Sequence, residues 1–193
     1  MTGSASCHLG AESSVLADDG VRTLGVAIAV PDPWGELLQE RRASYGDRLA
    51  WTIPTHVTLL PPSQVPEARM PKVHEHLATI ADGQAPFEIE LGGADTFRPV
   101  TPTVFLQVAQ GGDVCSGLQE QIRGGPLRRK LTFPYHPHVT LAFEVSDDAL
   151  DRAFADHEDF RLAFIVEGFT RYELGEDGIW LPEFDYRFGW LDQ

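Results

Sequence analysis

Four residues, His-Val-Thr-Leu, occur twice in this chain, at 56–59 and again at 138–141, 82 positions later. Val, Thr and Leu in this spacing favour a β-strand. Successive side chains of a strand point to opposite faces. His56 and Thr58 therefore share one face, with Val57 and Leu59 on the other. His138 and Thr140 share a face in the same way, opposite Val139, Leu141 and Phe143. Each copy offers an imidazole and a hydroxyl on one side and an apolar anchor on the other. A fold that brings the copies together places two such pairs across one cleft.

The rest of the chain supplies elements around those two strands. Residues 21–30 (VRTLGVAIAV) read as a central strand, and Trp34 to Tyr45 has helical spacing of apolar residues. The first motif strand is expected to close at Pro61-Pro62, before a helix over 66–81. Phe87 to Leu91 alternates as a half-exposed strand, turned by Gly92-Gly93. A short strand at 95–98 and a stronger one at 103–109 follow, then a helix over 113–122 with Asp113 as its cap. After the second motif strand come a helix over 149–156 and a long strand over 160–174, with Gly168 as a bulge. A last strand covers 179–181. The fold class is α+β: two antiparallel sheets with flanking helices, bilobed around a central cleft, with weak pseudo-two-fold repetition. No glycine-rich phosphate loop follows a strand.

At 193 residues, residues 21–193 fit one bilobed domain, and 1–20 read as a flexible leader without a signal peptide. Two cysteines, Cys7 and Cys115, make no disulfide framework, so a reducing cytoplasm is the expected location. No apolar run approaches the roughly 20 residues of a membrane span. The net charge of −14 opposes an extended nucleic-acid surface or adhesion to anionic lipid. It leaves room for one small anion in a locally positive pocket. Basic residues cluster once, at Arg123, Arg128, Arg129 and Lys130, as a substrate contact or a solvated helix end. A monomer is expected.

Opposed imidazoles suit phosphoryl transfer at a ribose cyclic phosphate. One neutral His takes a proton from the attacking oxygen, and a protonated one gives a proton to the departing oxygen. The Thr hydroxyls can hold the non-bridging phosphate oxygens. This chemistry requires no metal or other cofactor.

The paired His-x-Thr words, with Pro137 before the second His and apolar flanks, resemble those of the two-histidine (2H) phosphoesterase superfamily. Its members include bacterial 2'-5' RNA ligase-like proteins and RNA cyclic phosphodiesterases. The resemblance implies His56 and His138 as the acid–base pair and Thr58 and Thr140 as phosphate binders. It implies 2',3'-cyclic phosphates of nucleotides or RNA ends, or related 2'-5' linkages, as substrates, and RNA-end processing as a role. Many relatives carry a basic residue just after the second motif, where this chain has Phe143 and Glu144. Arg98, Lys130 or Arg171 are candidates to replace it.

Other readings stay open at this point. His136 and His138 share a strand face, and with His56 they form a candidate zinc trio. His136 also fits the cleft rim. Tyr135 and Phe133 are candidates to stack on a base, or core residues. His74 and His76 read as solvated, and His157 as a cation at a helix end. Trp34, Trp51 and Trp180 read as core or lobe interface. A phosphate-binding module without turnover is the non-enzymatic alternative.

Overall fold

The structure, a computed structural model, describes residues 20–189. The leader expected over 1–20, Cys7 included, falls outside this range apart from Gly20. Eight strands and four α-helices follow in the order β1 (Val21–Ala29), α1 (Trp34–Ser44), β2 (His56–Pro66), α2 (Met70–Asp82), β3 (Phe87–Thr96), β4 (Thr103–Gln110), α3 (Gly112–Ile122), β5 (His138–Phe143), α4 (Asp147–His157), β6 (Arg161–Val166), β7 (Gly168–Leu174) and β8 (Trp180–Arg187).

In place of two separate sheets there is one, ordered β6-β3-β4-β5-β2-β1-β7-β8. Every pairing in it is antiparallel. Its two four-stranded halves meet at a single residue pair, Val57 opposite Val139. The motif strands β2 and β5 are therefore the seam of the molecule. The apolar anchors of both words, Val57, Leu59, Val139 and Leu141, are sealed in the core, with Val73 and Leu77 of α2, Leu118 of α3 and Leu150 of α4. Apolar residues three and four apart on each helix make this burial possible.

Four local expectations change. β2 runs through Pro61-Pro62 to Pro66 instead of stopping there. The register against β1 shifts around Gly25, between the Leu24–Ser63 and Val26–Leu60 pairs. The prolines sit at that irregularity, where their missing N–H groups cost no ladder bond. Gly92-Gly93 does not turn the chain: Gly93, at φ +42°, is a bulge within β3, which carries the short strand expected at 95–98. The long strand over 160–174 is two strands. β6 edges one half of the sheet, while β7 lies between β1 and β8 in the other. Gly168 starts β7 after that crossover. Its missing side chain admits Tyr186 O, which a Cβ there would overlap. Finally, β8 extends to Arg187 and takes in the aromatic tail.

Several side chains also move from their expected settings. Trp34 and Trp51 are exposed. His74 Nδ1 lies 3.0 Å from the Tyr186 hydroxyl, and His76 Nε2 lies 3.2 Å from Gln121 O, so neither is simply solvated. His157 is buried, and burial lowers its pKa, so the neutral form prevails over the helix-end preference for a cation. Gly111, not Asp113, caps α3.

Candidate active site

The single Val57–Val139 pair determines the geometry of the site. Both valines face the core with no exposure. Their neighbours on each strand must face the other way. The antiparallel register then sets His56 across from Thr140 and His138 across from Thr58. All four side chains are half-buried on one face of the sheet. The four residues singled out by the repeated word are thus brought together from positions 82 apart in the chain.

Both rings are anchored by the same local device. His56 Nδ1 lies 2.7 Å from Pro54 O, and His138 Nδ1 lies 2.7 Å from His136 O. A carbonyl oxygen only accepts, so each Nδ1 carries the hydrogen and donates it. Each Nε2 is left as the working nitrogen. His56 Nε2 is 3.1 Å from Thr58 Oγ1, whose hydroxyl donates to the bare nitrogen.

Burial lowers the pKa of both rings. Desolvation by burial is the main cause at His56, and its pKa falls to about 4. The positive charges of Arg42 and of a protonated His138 add to this, against the opposing hydrogen bond that Nδ1 donates to Pro54 O. Burial likewise lowers His138, helped by repulsion from His136. The apolar wall at His138 has named members. Phe105 lies 5.2 Å from it between ring centroids, and Phe97 meets it edge-on at 5.0 Å. Phe97 stacks on Phe105 at 4.1 Å, so the pair forms a rigid block under His136 and His138.

Beside His138 and Thr58 opens a cavity of about 670 Å³. Phe97, Val100, Phe133, Tyr135, His136 and Arg129 help to line it, together with Gln119 of α3. Tyr135 donates its hydroxyl to Thr58 O at 2.9 Å, which ties the cavity wall to the motif strand.

The other expected contacts lie elsewhere. Arg98 is drawn to α4, where it pairs with Asp151 at 2.7 Å. Lys130 is exposed, and its neighbour Arg129 takes the place in the wall, donating to Pro62 O and Ser63 Oγ. Arg171 is on the wrong face. Thr58 pairs with Ala27 and Ala27 with Thr170, so Thr170 shares the site face and Arg171 points to the opposite one, where its charge reaches Tyr186. Among the described residues no group of three or more His, Cys, Asp or Glu is placed to hold a metal ion, which removes the zinc trio His56, His136 and His138.

Two residues near the site were not among the expected ones. Arg42 of α1 is buried with its Nε 2.7 Å from Asp47 Oδ2, and the same oxygen accepts the Phe143 amide at 3.0 Å. A cation thus stands by the end of β5. Gln119 is 3 % exposed, in the stripe Cys115, Leu118, Gln119, Ile122. A lone amide in an otherwise apolar helical stripe is the signal that could have found it.

The sequence family description that matches residues 30–178 is the 2'-5' RNA ligase superfamily. A protein of Halalkalibacterium halodurans, provisionally named a phosphoesterase, is 32 % identical over 126 residues, 65 % of this chain and 72 % of its own. A similarly named protein of Bacillus pumilus is 28 % identical over 142 residues, covering 65 % and 82 %. Among solved structures, E. coli LigT complexed with 3'-AMP superposes with a TM-score of 0.67 at 21 % identity, covering 88 % of this chain and 99 % of LigT. A crystal structure described as a phosphoesterase gives 0.65 at 19 % identity, covering 89 % and 100 %. With a twice-repeated His-x-Thr word folded onto one sheet seam, and a match spanning most of its length, this chain belongs to the 2'-5' RNA ligase superfamily of two-histidine phosphoesterases.

Proposed function

We propose that the protein is a metal-independent phosphodiesterase that hydrolyses 2',3'-cyclic phosphates of nucleotides or RNA ends, or related 2'-5' linkages. The observation that carries this reading is the pairing of His56–Thr58 with Thr140–His138 across the seam, with both Nδ1 atoms tied to carbonyls. In this reading the two Nε2 atoms work on one phosphate from opposite sides. Burial and Arg42 favour the bare form of His56, which suits the base. His56 Nε2 takes a proton from water as its oxygen attacks phosphorus. The bond from phosphorus to one ribose oxygen breaks, and His138 Nε2 delivers a proton to that oxygen. The bound phosphate's negative charge supplies what the free protein lacks, because it raises the pKa of His138 and allows it to start protonated. Thr58 and Thr140 donate to the non-bridging oxygens.

A small nucleotide or an RNA end fits the acidic surface better than a long strand. E. coli LigT has been crystallised with 3'-AMP, with ATP and with NADP+, which supports nucleotide binding by this fold. One chain suffices for this chemistry, since it supplies both imidazole–hydroxyl pairs.

The test is turnover of 2',3'-cyclic nucleotides and cyclic-phosphate RNA ends in EDTA. His56→Ala and His138→Ala are each expected to lower kcat by about 10²- to 10⁴-fold. Chelator-sensitive turnover would reject the metal-free mechanism. One feature favours a second reading, a binding module without turnover: burial lowers the pKa of both imidazoles, which works against a protonated acid. Tight binding with no turnover on any of these substrates selects it.

A further inference from the structure

Gln119 has no evident reason to be where it is. It occupies a core position on α3, packed against β2 and β4. Its Nε2 is buried and has no hydrogen-bond partner among the described residues. An unpaired buried donor is unfavourable, and a hydrocarbon side chain would fill the position better. The same residue lines the cavity that opens beside His138 and Thr58. The rest of that wall is largely apolar and aromatic: Phe97, Val100, Leu131, Phe133 and Tyr135. Such a slot suits a flat ring, and one unpaired amide in it suits one hydrogen bond to that ring's edge.

We infer that Gln119 is a specificity-determining residue that donates a hydrogen bond to a carbonyl oxygen of the substrate's nucleobase. This rests on the reading of the seam as a nucleotide phosphate site. With the phosphate between His56 and His138, the ribose leads into the adjoining cavity and the base lies against Phe97, Phe133 and Tyr135. The terminal torsion of a glutamine is broad, so the amide NH₂ can turn to meet an acceptor there. Guanine, uracil and cytosine each carry a ring carbonyl. Adenine carries none: its acceptors are ring nitrogens, and the group it projects is an amine, which meets the amide NH₂ donor to donor. The protein therefore prefers carbonyl-bearing bases to adenine.

The test measures calorimetric binding of the four nucleoside 3'-monophosphates, alongside kcat/KM for the four 2',3'-cyclic nucleotides. Wild type is expected to favour guanine, uracil and cytosine over adenine by about five- to tenfold. Gln119→Met keeps length and bulk and removes the donor. It is expected to erase that preference by weakening the three carbonyl bases while leaving adenine unchanged. Gln119→Glu, an acceptor when ionised, is expected to shift the preference toward bases with exocyclic amines. Melting curves of both variants show that they are folded. Equal affinity for all four bases in wild type, or an equal loss across all four in Gln119→Met, overturns the inference. Base-selective binding that depends on Gln119 without turnover keeps it and removes the hydrolase. Turnover without base preference keeps the hydrolase and removes the role of Gln119.

Discussion

Histidines 56 and 138 sit in matched settings, and their titration follows from burial. The pKa of His56 is lowered to about 4 in the folded protein, against an ordinary value of 6.5. Below pH 6.5 the unfolded chain binds a proton that the folded chain refuses. The contribution to stability is thus fully present above about pH 6.5 and is lost as pH falls toward about 4. His138 and His157 are shifted in the same direction and add to this slope. Urea midpoints are expected to fall between pH 7 and pH 4.5, and His56→Gln to reduce that fall. A midpoint independent of pH over this range would contradict the buried setting. For turnover, one ring must be bare and the other protonated, so the pH–rate profile is expected to be bell-shaped. A flat profile from pH 5 to 9 would reject the paired roles. The imidazole–hydroxyl face was legible in the sequence because strand alternation is a local rule. Arg42 was not, because its approach to the site depends on packing between elements distant in the chain; Arg129 showed only as one member of a basic cluster, and Gln119 only as a lone amide in an apolar stripe.

At the level of elements, the seam between β2 and β5 is held by more than its one ladder pair. The Tyr135 hydroxyl braces Thr58 O from one side. At the other end the Asp47 carboxylate accepts from the Phe143 amide, the Leu49 amide and the Arg42 guanidinium. Asp47 is 5 % exposed, so its loss leaves a buried cation and a buried amide unpaired. Asp47→Ala is expected to cost about 3–5 kcal/mol in chemical unfolding. Tyr135→Phe removes one hydrogen bond and is expected to cost about 1 kcal/mol, with a larger proportional effect on kcat than on KM. The positions of most strands and helices could be read from periodicity and punctuation. The errors arose where one punctuating residue had a second use. Pro61-Pro62 marks an irregular register instead of a strand end, Gly93 a bulge instead of a turn, and Gly168 a crossover between halves instead of a bulge. Each distinction depends on which strand lies alongside, and no local window contains that.

The whole molecule is two four-stranded halves joined at the point where the site lies. His56 and Thr58 belong to one half, and His138 and Thr140 to the other. An anion held by all four side chains therefore also bridges the halves. A ligand that binds only the folded state stabilises it by about 2.7 kcal/mol at a concentration of 100 Kd. For a chain of this size that is a rise in Tm of roughly 5–10 °C. Binding is also linked to protons: the anion favours the charged form of rings whose pKa burial lowers, so it draws protons in. Inorganic phosphate is accordingly expected to raise Tm more at pH 6 than at pH 8, and calorimetry in buffers of different ionisation enthalpy is expected to show proton uptake on binding. The net charge of −14 makes the contrast informative, since a protein so acidic has no general attraction for phosphate. Loss of the effect in the His56→Ala, His138→Ala double variant ties it to the seam. An equal rise in Tm at both pH values, or one that survives in the double variant, would mean that phosphate acts elsewhere and that the two imidazoles do not share an anion.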